Sequence, residues 1–158
     1  MTKRREFLLQ MGAAGIISTL PTVAAAQQRG HPIPPAPPAG NWLAQVSLSN
    51  QEMALYRDGQ LQHRWPVSTA RSGKVTPRGE WRPYWLSRNH RSSLYNNAPM
   101  PYSVFYSGNY AVHGTNQEHL LGQRASAGCV RLATQNAALV YAIAHHHGLG
   151  SLLIRVGA

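Results

Sequence analysis

The chain has 158 residues, with fifteen Lys plus Arg against five Asp plus Glu, a formal charge of +10 and 43% hydrophobic residues. It is long enough to bury one core and too short for several domains, and its single cysteine excludes a disulfide framework. A charge of this size favours anionic partners, yet the bases are scattered arginines rather than a run or a stripe, so most of them read as solvated surface.

Lys3, Arg4 and Arg5 precede an apolar run of small residues from Phe7 to Val23, and Ala24, Ala25 and Ala26 supply a small-residue cleavage site. Residues 1–26 are therefore expected to be a secretory signal peptide rather than an anchor. Thr2-Lys3-Arg4-Arg5-Glu6-Phe7-Leu8 resembles the twin-arginine (Tat) signal, which carries proteins that fold before crossing; the alternative is a Sec signal whose arginines act only as positive charge. Gly12, Gly15 and Pro21 argue against a retained spanning helix, and no cysteine stands at the cleavage site to take a lipid. Cleavage removes three bases and one acid and leaves a charge near +8. Export to the periplasm or cell wall makes nucleic acid the weakest anionic partner and acidic envelope material the stronger one.

Residues 27–40 read QQRGHPIPPAPPAG. Such a proline-rich linker is expected to be extended and polyproline-like or disordered, with His31 solvated. Residues 41–158 form one domain without internal repeats, and its elements are mostly strands. Ala44 to Leu48 and Met53 to Arg57 alternate apolar with polar, Asp58-Gly59 is a hairpin turn, and Leu61 to Ser68 runs back, giving a meander. Thr76-Pro77-Arg78-Gly79 is a turn, and Glu80 to Leu86 is an aromatic strand. The pattern dissolves from Ser87 to Pro101, a loop long enough to suggest function or mobility. Tyr102 to Tyr106 and Tyr110 to His113 alternate again around Ser107-Gly108-Asn109. One main helix follows, capped by Thr134, with an apolar face of Ala137, Leu139, Val140, Ile143 and Ala144 and a stop at Gly148. His145, His146 and His147 fall in its last turn. Consecutive helical positions point about 100° apart, so they suit the helix dipole better than one metal ion. Leu152 to Val156 is the last strand.

The chemistry is concentrated between His113 and Leu132. Cys129 has no intramolecular partner, and in an exported chain an unpaired cysteine reads as reactive or intermolecular; its competing reading is a small buried hydrophobe. Gly128 and Ala127 keep bulk from the sulfur. A strand ending at His113 and a loop returning to Cys129 can set an imidazole beside the thiol, which lowers the thiol pKa and takes its proton. His119 lies in the same loop, so the spacing alone leaves the partner open.

His113-Gly114-Thr115 followed by Ser126-x-Gly128-Cys129-Val130-Arg131-Leu132 resembles the catalytic motif of the L,D-transpeptidases of bacterial peptidoglycan, the YkuD-type family. Leu55-Tyr56-Arg57-Asp58-Gly59, Pro66-Val67-Ser68-Thr69, Thr76-Pro77-x-Gly79 and Ala98-Pro99-Met100-Pro101-Tyr102 extend the likeness in the same order. The resemblance implies a mainly β, sandwich- or barrel-like fold with one main helix before the last strand, and a cleft beneath a loop, here Ser87 to Pro101. It implies Cys129 as nucleophile, His113 as general base, and a backbone carbonyl that orients the imidazole. Glu118, the only acid of the loop, is read as solvated surface. Backbone groups of Gly128, Cys129 and Gly114 would receive the oxyanion. Arg131, Tyr102, Met100 and Ser126 would contact substrate; core packing competes for Tyr102 and Met100, and a structural clamp competes for Arg131.

One departure stands out: the family usually has a histidine before the motif glycine, and this chain has Ala127. The activity implied is acyl transfer from a peptidoglycan tetrapeptide stem with release of D-Ala, to a stem amine (a 3→3 crosslink serving cell wall biogenesis and cell shape) or to the lysine of an envelope protein. The rivals are an L,D-carboxypeptidase or hydrolase on the same fold and a non-catalytic peptidoglycan-binding module. Carbapenem-type β-lactams would be inhibitors, no metal or organic cofactor is implied, and a monomer is expected.

Overall fold

The computed structural model describes residues 30–158. The signal expected at 1–26 and the first linker residues, 27–29, lie outside the described residues. The meander forms where the alternation predicts it: β1 (Trp42–Ser47), β2 (Glu52–Arg57) and β3 (Gln60–Pro66) pair antiparallel in turn. Asp58 and Gly59 join β2 to β3 with φ of 49° and 80°, the positive values that a two-residue hairpin turn needs. β9 (Leu152–Gly157) pairs parallel with β1, and β4 (Gly79–Trp81) closes this five-stranded sheet against β9. A second sheet runs in the order β5 (Trp85–Arg91), β6 (Pro99–Ser107), β7 (Tyr110–Thr115), β8 (Val130–Ala133), and α1 (Thr134–His147) follows it.

Both sheets and the helix share one core. Val46, Leu55 and Ile154 of the first sheet, Val104, Val112, Val130 and Leu132 of the second, and Ala137, Val140 and Ile143 of α1 are fully buried in a single cluster. Each of the larger side chains contributes roughly 1.5–3 kcal/mol of burial. The chain is thus mainly β, two sheets with one main helix before the last strand, as expected.

Four local expectations are corrected. Glu80 to Leu86 is not one strand: β4 belongs to the first sheet and β5 to the second, and the chain crosses between them at buried Pro83. The loop expected over Ser87 to Pro101 shrinks to 92–98, because β5 runs on to Arg91 and β6 starts at Pro99. Pro99 and Pro101 pair only with β5, since the β6–β7 register begins at Val104; their missing N–H groups cost no ladder bond on that side. Thr134 is the first residue of α1 rather than its cap, and its hydroxyl donates to the Thr115 carbonyl at 3.3 Å. The Glu118 carboxylate accepts from the Thr134 N–H at a long 3.4 Å. That places negative charge at the helix N-terminus, where the dipole favours it, so Glu118 does more than solvate a surface.

The proline-rich segment is extended, but it does not hang free. The Tyr102 hydroxyl donates to the Pro32 carbonyl at 2.8 Å, and His146 and His147 bond the carbonyls of Pro34 and Pro37 at 2.8 and 2.7 Å. Proline has no N–H and leaves its carbonyls unpaired in such a strand, which is why side-chain donors of the domain can hold it. His31 is half-buried, its N–H donates to Asn89 Oδ1 at 2.7 Å, and its ring lies 5.1 Å from that of Tyr102. The histidines at the end of α1 therefore serve as clamps for this strap. Replacing His146 and His147 together by alanine is expected to lower stability by about 1–2 kcal/mol, at roughly 1 kcal/mol per bond, read as a fall in thermal midpoint.

Candidate active site

The parallel pairing of β7 with β8 brings the candidate residues to one face. His113 lies opposite Arg131 and Val112 opposite Val130. Paired residues share a face and successive residues alternate, so Cys129, two before Arg131, projects to the same side as His113. Val112, Val130 and Leu132 point the other way, into the core. On the outer face Cys129 packs against Met100, Phe105 and Ala111, and a cavity of about 590 Å³ opens over Cys129, His113, Arg131 and Met100. The loop 92–98 roofs it with Leu94 and Tyr95. Ser92 Oγ accepts from the N–H groups of Leu94 and Tyr95 at 3.3 and 3.1 Å, and the Lys74 ammonium stands 5.9 Å over the Tyr95 ring.

The imidazole is fixed by its own backbone. His113 is 4% exposed, and its Nδ1 donates to the Gly114 carbonyl at 2.7 Å. This bond assigns the proton to Nδ1 and leaves Nε2 as the basic nitrogen. Burial, aided by the positive charge of Arg131, pushes His113 down to about 4 against the Gly114 bond, so the ring is neutral at pH 7. Burial pushes the Cys129 thiol up, against the opposing pull of the Ala111 backbone and Arg131. A neutral imidazole and a protonated thiol thus line one cavity, with the thiol 3.8 Å from the Asn109 carbonyl, an arrangement without a resting ion pair.

The segment before Cys129 is held by two hydroxyls. Ser126 Oγ accepts from the Gly128 N–H at 3.0 Å and donates to the Cys129 carbonyl at 2.7 Å. The Gly128 N–H is therefore already engaged, which corrects its expected part as an oxyanion donor. Buried Thr76 accepts from the Ala70 N–H at 3.0 Å and donates to the Gly128 carbonyl at 2.8 Å. Gly128 has φ of 136°, and a Cβ there would stand 2.7 Å from the Val75 carbonyl oxygen and 2.5 Å from the Tyr110 ring. Gly128→Ala is expected to cost at least about 1–3 kcal/mol and to displace the thiol, seen as a lower melting point with a changed rate of thiol labelling.

The remaining expected residues divide. Arg131 is half-buried on the cavity wall and donates to Gln117 Oε1 at 3.0 Å. Met100 lines the cavity, and so does Ser126, which also serves the turn. Tyr102 does not: it lies on the core side of the second sheet, 5.6 Å from the Tyr141 ring, with its hydroxyl on Pro32. The difference comes from its backbone, since Tyr102 has φ of 55° in the middle of β6 and the strand's alternation breaks there. Gly114 supplies the carbonyl that orients His113 and packs against the start of α1. His119 is exposed and stands outside the cavity, whereas Ala127 lines it. Sequence reasoning missed Thr76, Arg71 and Tyr95; for Thr76 the available signal was a hydroxyl next to a turn proline, which reads as turn chemistry.

Comparisons with known proteins agree with this layout. The pattern of the YkuD family, the L,D-transpeptidase catalytic domain, matches residues 41–147. YkuD of Bacillus licheniformis, a candidate L,D-transpeptidase, is 28% identical over 94 residues, which are 55% of this chain and 50% of that protein. The chain thus spans about half the length of this curated relative. Among solved structures, the LD transpeptidase LdtMt1 in complex with imipenem superposes with a TM-score of 0.64 at 20% identity, over 73% of this chain and 58% of that one. L,D-transpeptidase 3 from Mycobacterium tuberculosis, in complex with a faropenem-derived adduct, gives 0.64 at 18% identity, over 74% and 60%. At such identities the likeness is one of fold.

Proposed function

The chain belongs to the L,D-transpeptidase catalytic domain family, and from this premise we propose that it is an exported cysteine acyltransferase acting on peptidoglycan stem peptides. The observation that carries the reading is that Cys129 and His113 line one cavity, with Nδ1 of the imidazole tied to Gly114. His113 Nε2 takes the thiol proton as the sulfur adds to the carbonyl of the diamino acid at stem position 3. The Cys129 N–H is the donor we assign to the oxyanion, since Ser126 occupies that of Gly128. His113 then returns the proton to the amine of the departing D-Ala, and a thioester remains. An acceptor amine gives its proton to His113 as it adds, the C–S bond breaks, and the sulfur recovers the proton. Arg131 presents a permanent cation to a substrate carboxylate. A stem amine as acceptor gives a 3→3 crosslink, a protein lysine gives an envelope attachment, and water gives carboxypeptidase activity.

Ala127 favours one second reading, a binding module without turnover, because it removes a side chain from the cavity wall. Intact mass spectrometry of the chain with a disaccharide-tetrapeptide separates the two. A thioester adduct with D-Ala release supports the enzyme, and the products identify the acceptor. No adduct and no turnover from folded protein would leave the binding module. Imipenem is expected to acylate Cys129 in the same assay.

A further inference from the structure

A second cavity, of about 440 Å³, lies beside the first and is lined by Arg71, Lys74, Arg78 and Arg124 with no acidic residue. The described residues contain two ion pairs, Arg64–Glu52 and Arg155–Glu80, so none of these four cations is neutralised by a carboxylate of the domain. Arg71 lines both cavities. The wall between them is the segment before the nucleophile: the Arg71 N–H donates to the Ser126 carbonyl at 3.0 Å, and Thr76 in the second cavity donates to that of Gly128 at 2.8 Å. Positive charge therefore continues from Arg131, through Arg71, into a pocket of the size that holds a small ligand.

We propose that the second cavity is a carboxylate-binding subsite for the acceptor, the molecule whose amine resolves the thioester. The assignment rests on the acyl-transfer reading above and adds the acceptor's chemistry: a peptide with free carboxylates remote from its reacting amine. Arg71 is common to the walls of both cavities, and guanidinium groups match carboxylates in charge and in planar geometry. A patch that merely held the domain to an anionic polymer would need no wall in common with the nucleophile. Arg78 is the residue to test, because it is exposed, makes no side-chain hydrogen bond among the described residues and stands outside the catalytic cavity.

The full chain is compared with Arg78→Lys, Arg78→Gln and Arg78→Glu. Thioester formation with the tetrapeptide donor should be unchanged. The KM for an acidic acceptor peptide should rise about tenfold in Arg78→Gln and further in Arg78→Glu, with Arg78→Lys near wild type, in keeping with one charge-assisted contact. The same acceptor with its carboxyls amidated should be used equally by all four proteins. An equal loss for acidic and amidated acceptors, or no change for the acidic one, would overturn the proposal. A second arm needs no turnover: binding of the N-acetylated acidic peptide to the Cys129→Ala chain, alone and with Arg78→Glu, beside a glycerol-phosphate polymer. Weaker peptide binding with Arg78→Glu supports the subsite; an effect on the polymer alone overturns it in favour of surface anchoring. Failure of the wild type to form a thioester would count against the acyl-transfer reading, while this second arm still decides the subsite.

Discussion

Cys129→Ala is expected to abolish thioester formation and D-Ala release, a loss of at least about a thousandfold, while the chain still folds. The side chain is half-buried against Met100, Phe105 and Ala111 rather than set in the main core, so losing its sulfur should cost no more than about 1 kcal/mol. Mass spectrometry and thermal melting on the same sample separate the two effects. Turnover persisting in Cys129→Ala would remove the nucleophile assignment altogether.

His113→Ala should lower the rate of acylation by about 10²–10⁴-fold, the usual span for a positioned general base. The pH dependence is the sharper test. With His113 pushed down to about 4 and the thiol pushed up, acylation by the wild type should hold level from about pH 5 to the alkaline limb, instead of peaking near neutrality. Stability follows from the same burial. The imidazole binds a proton in the unfolded chain near 6.5 but in the folded one only near 4. The unfolded state therefore holds more protons between these values, and folding stability contributed at pH 7 is lost as pH falls through that window, by about 3 kcal/mol at its foot. Melting curves at pH 7 and pH 4 should show this loss in the wild type and a smaller one in His113→Gln. A bell-shaped rate profile centred near pH 7 would refute the neutral-base arrangement.

The site was legible in the sequence where its chemistry depends on residue type. Cys129 and His113 line one cavity and the Gly114 carbonyl holds the imidazole, although β7 runs two residues past His113 instead of ending there. Backbone detail was not legible. That Ser126 consumes the Gly128 N–H depends on the turn it closes, and Tyr102 leaves the cavity because one residue of β6 takes a positive φ. The meander and the stop at Gly148 were readable because alternation and helix endings are local signals. The run through Arg88, Asn89, His90 and Arg91 looked like loop because it is polar, yet it pairs with β6 as an edge strand with one other neighbour missing. The docked strap was the least legible part, since its partners Asn89, Tyr102, His146 and His147 lie 58 to 112 residues away.

That strap also determines from which side the domain is held. Residues 31–37 run along the α1 side of the second sheet, and Gly30 sits against the Asn89 side chain at the outer edge of β5. The cavity over Cys129 opens on the opposite side of the same sheet. Between His31 and Pro37 four hydrogen bonds hold this segment to the domain, and the Trp42 indole adds another at the Pro38 carbonyl. The strap and the cavity thus use opposite faces of one sheet, so the docked segment leaves the mouth over Cys129 uncovered.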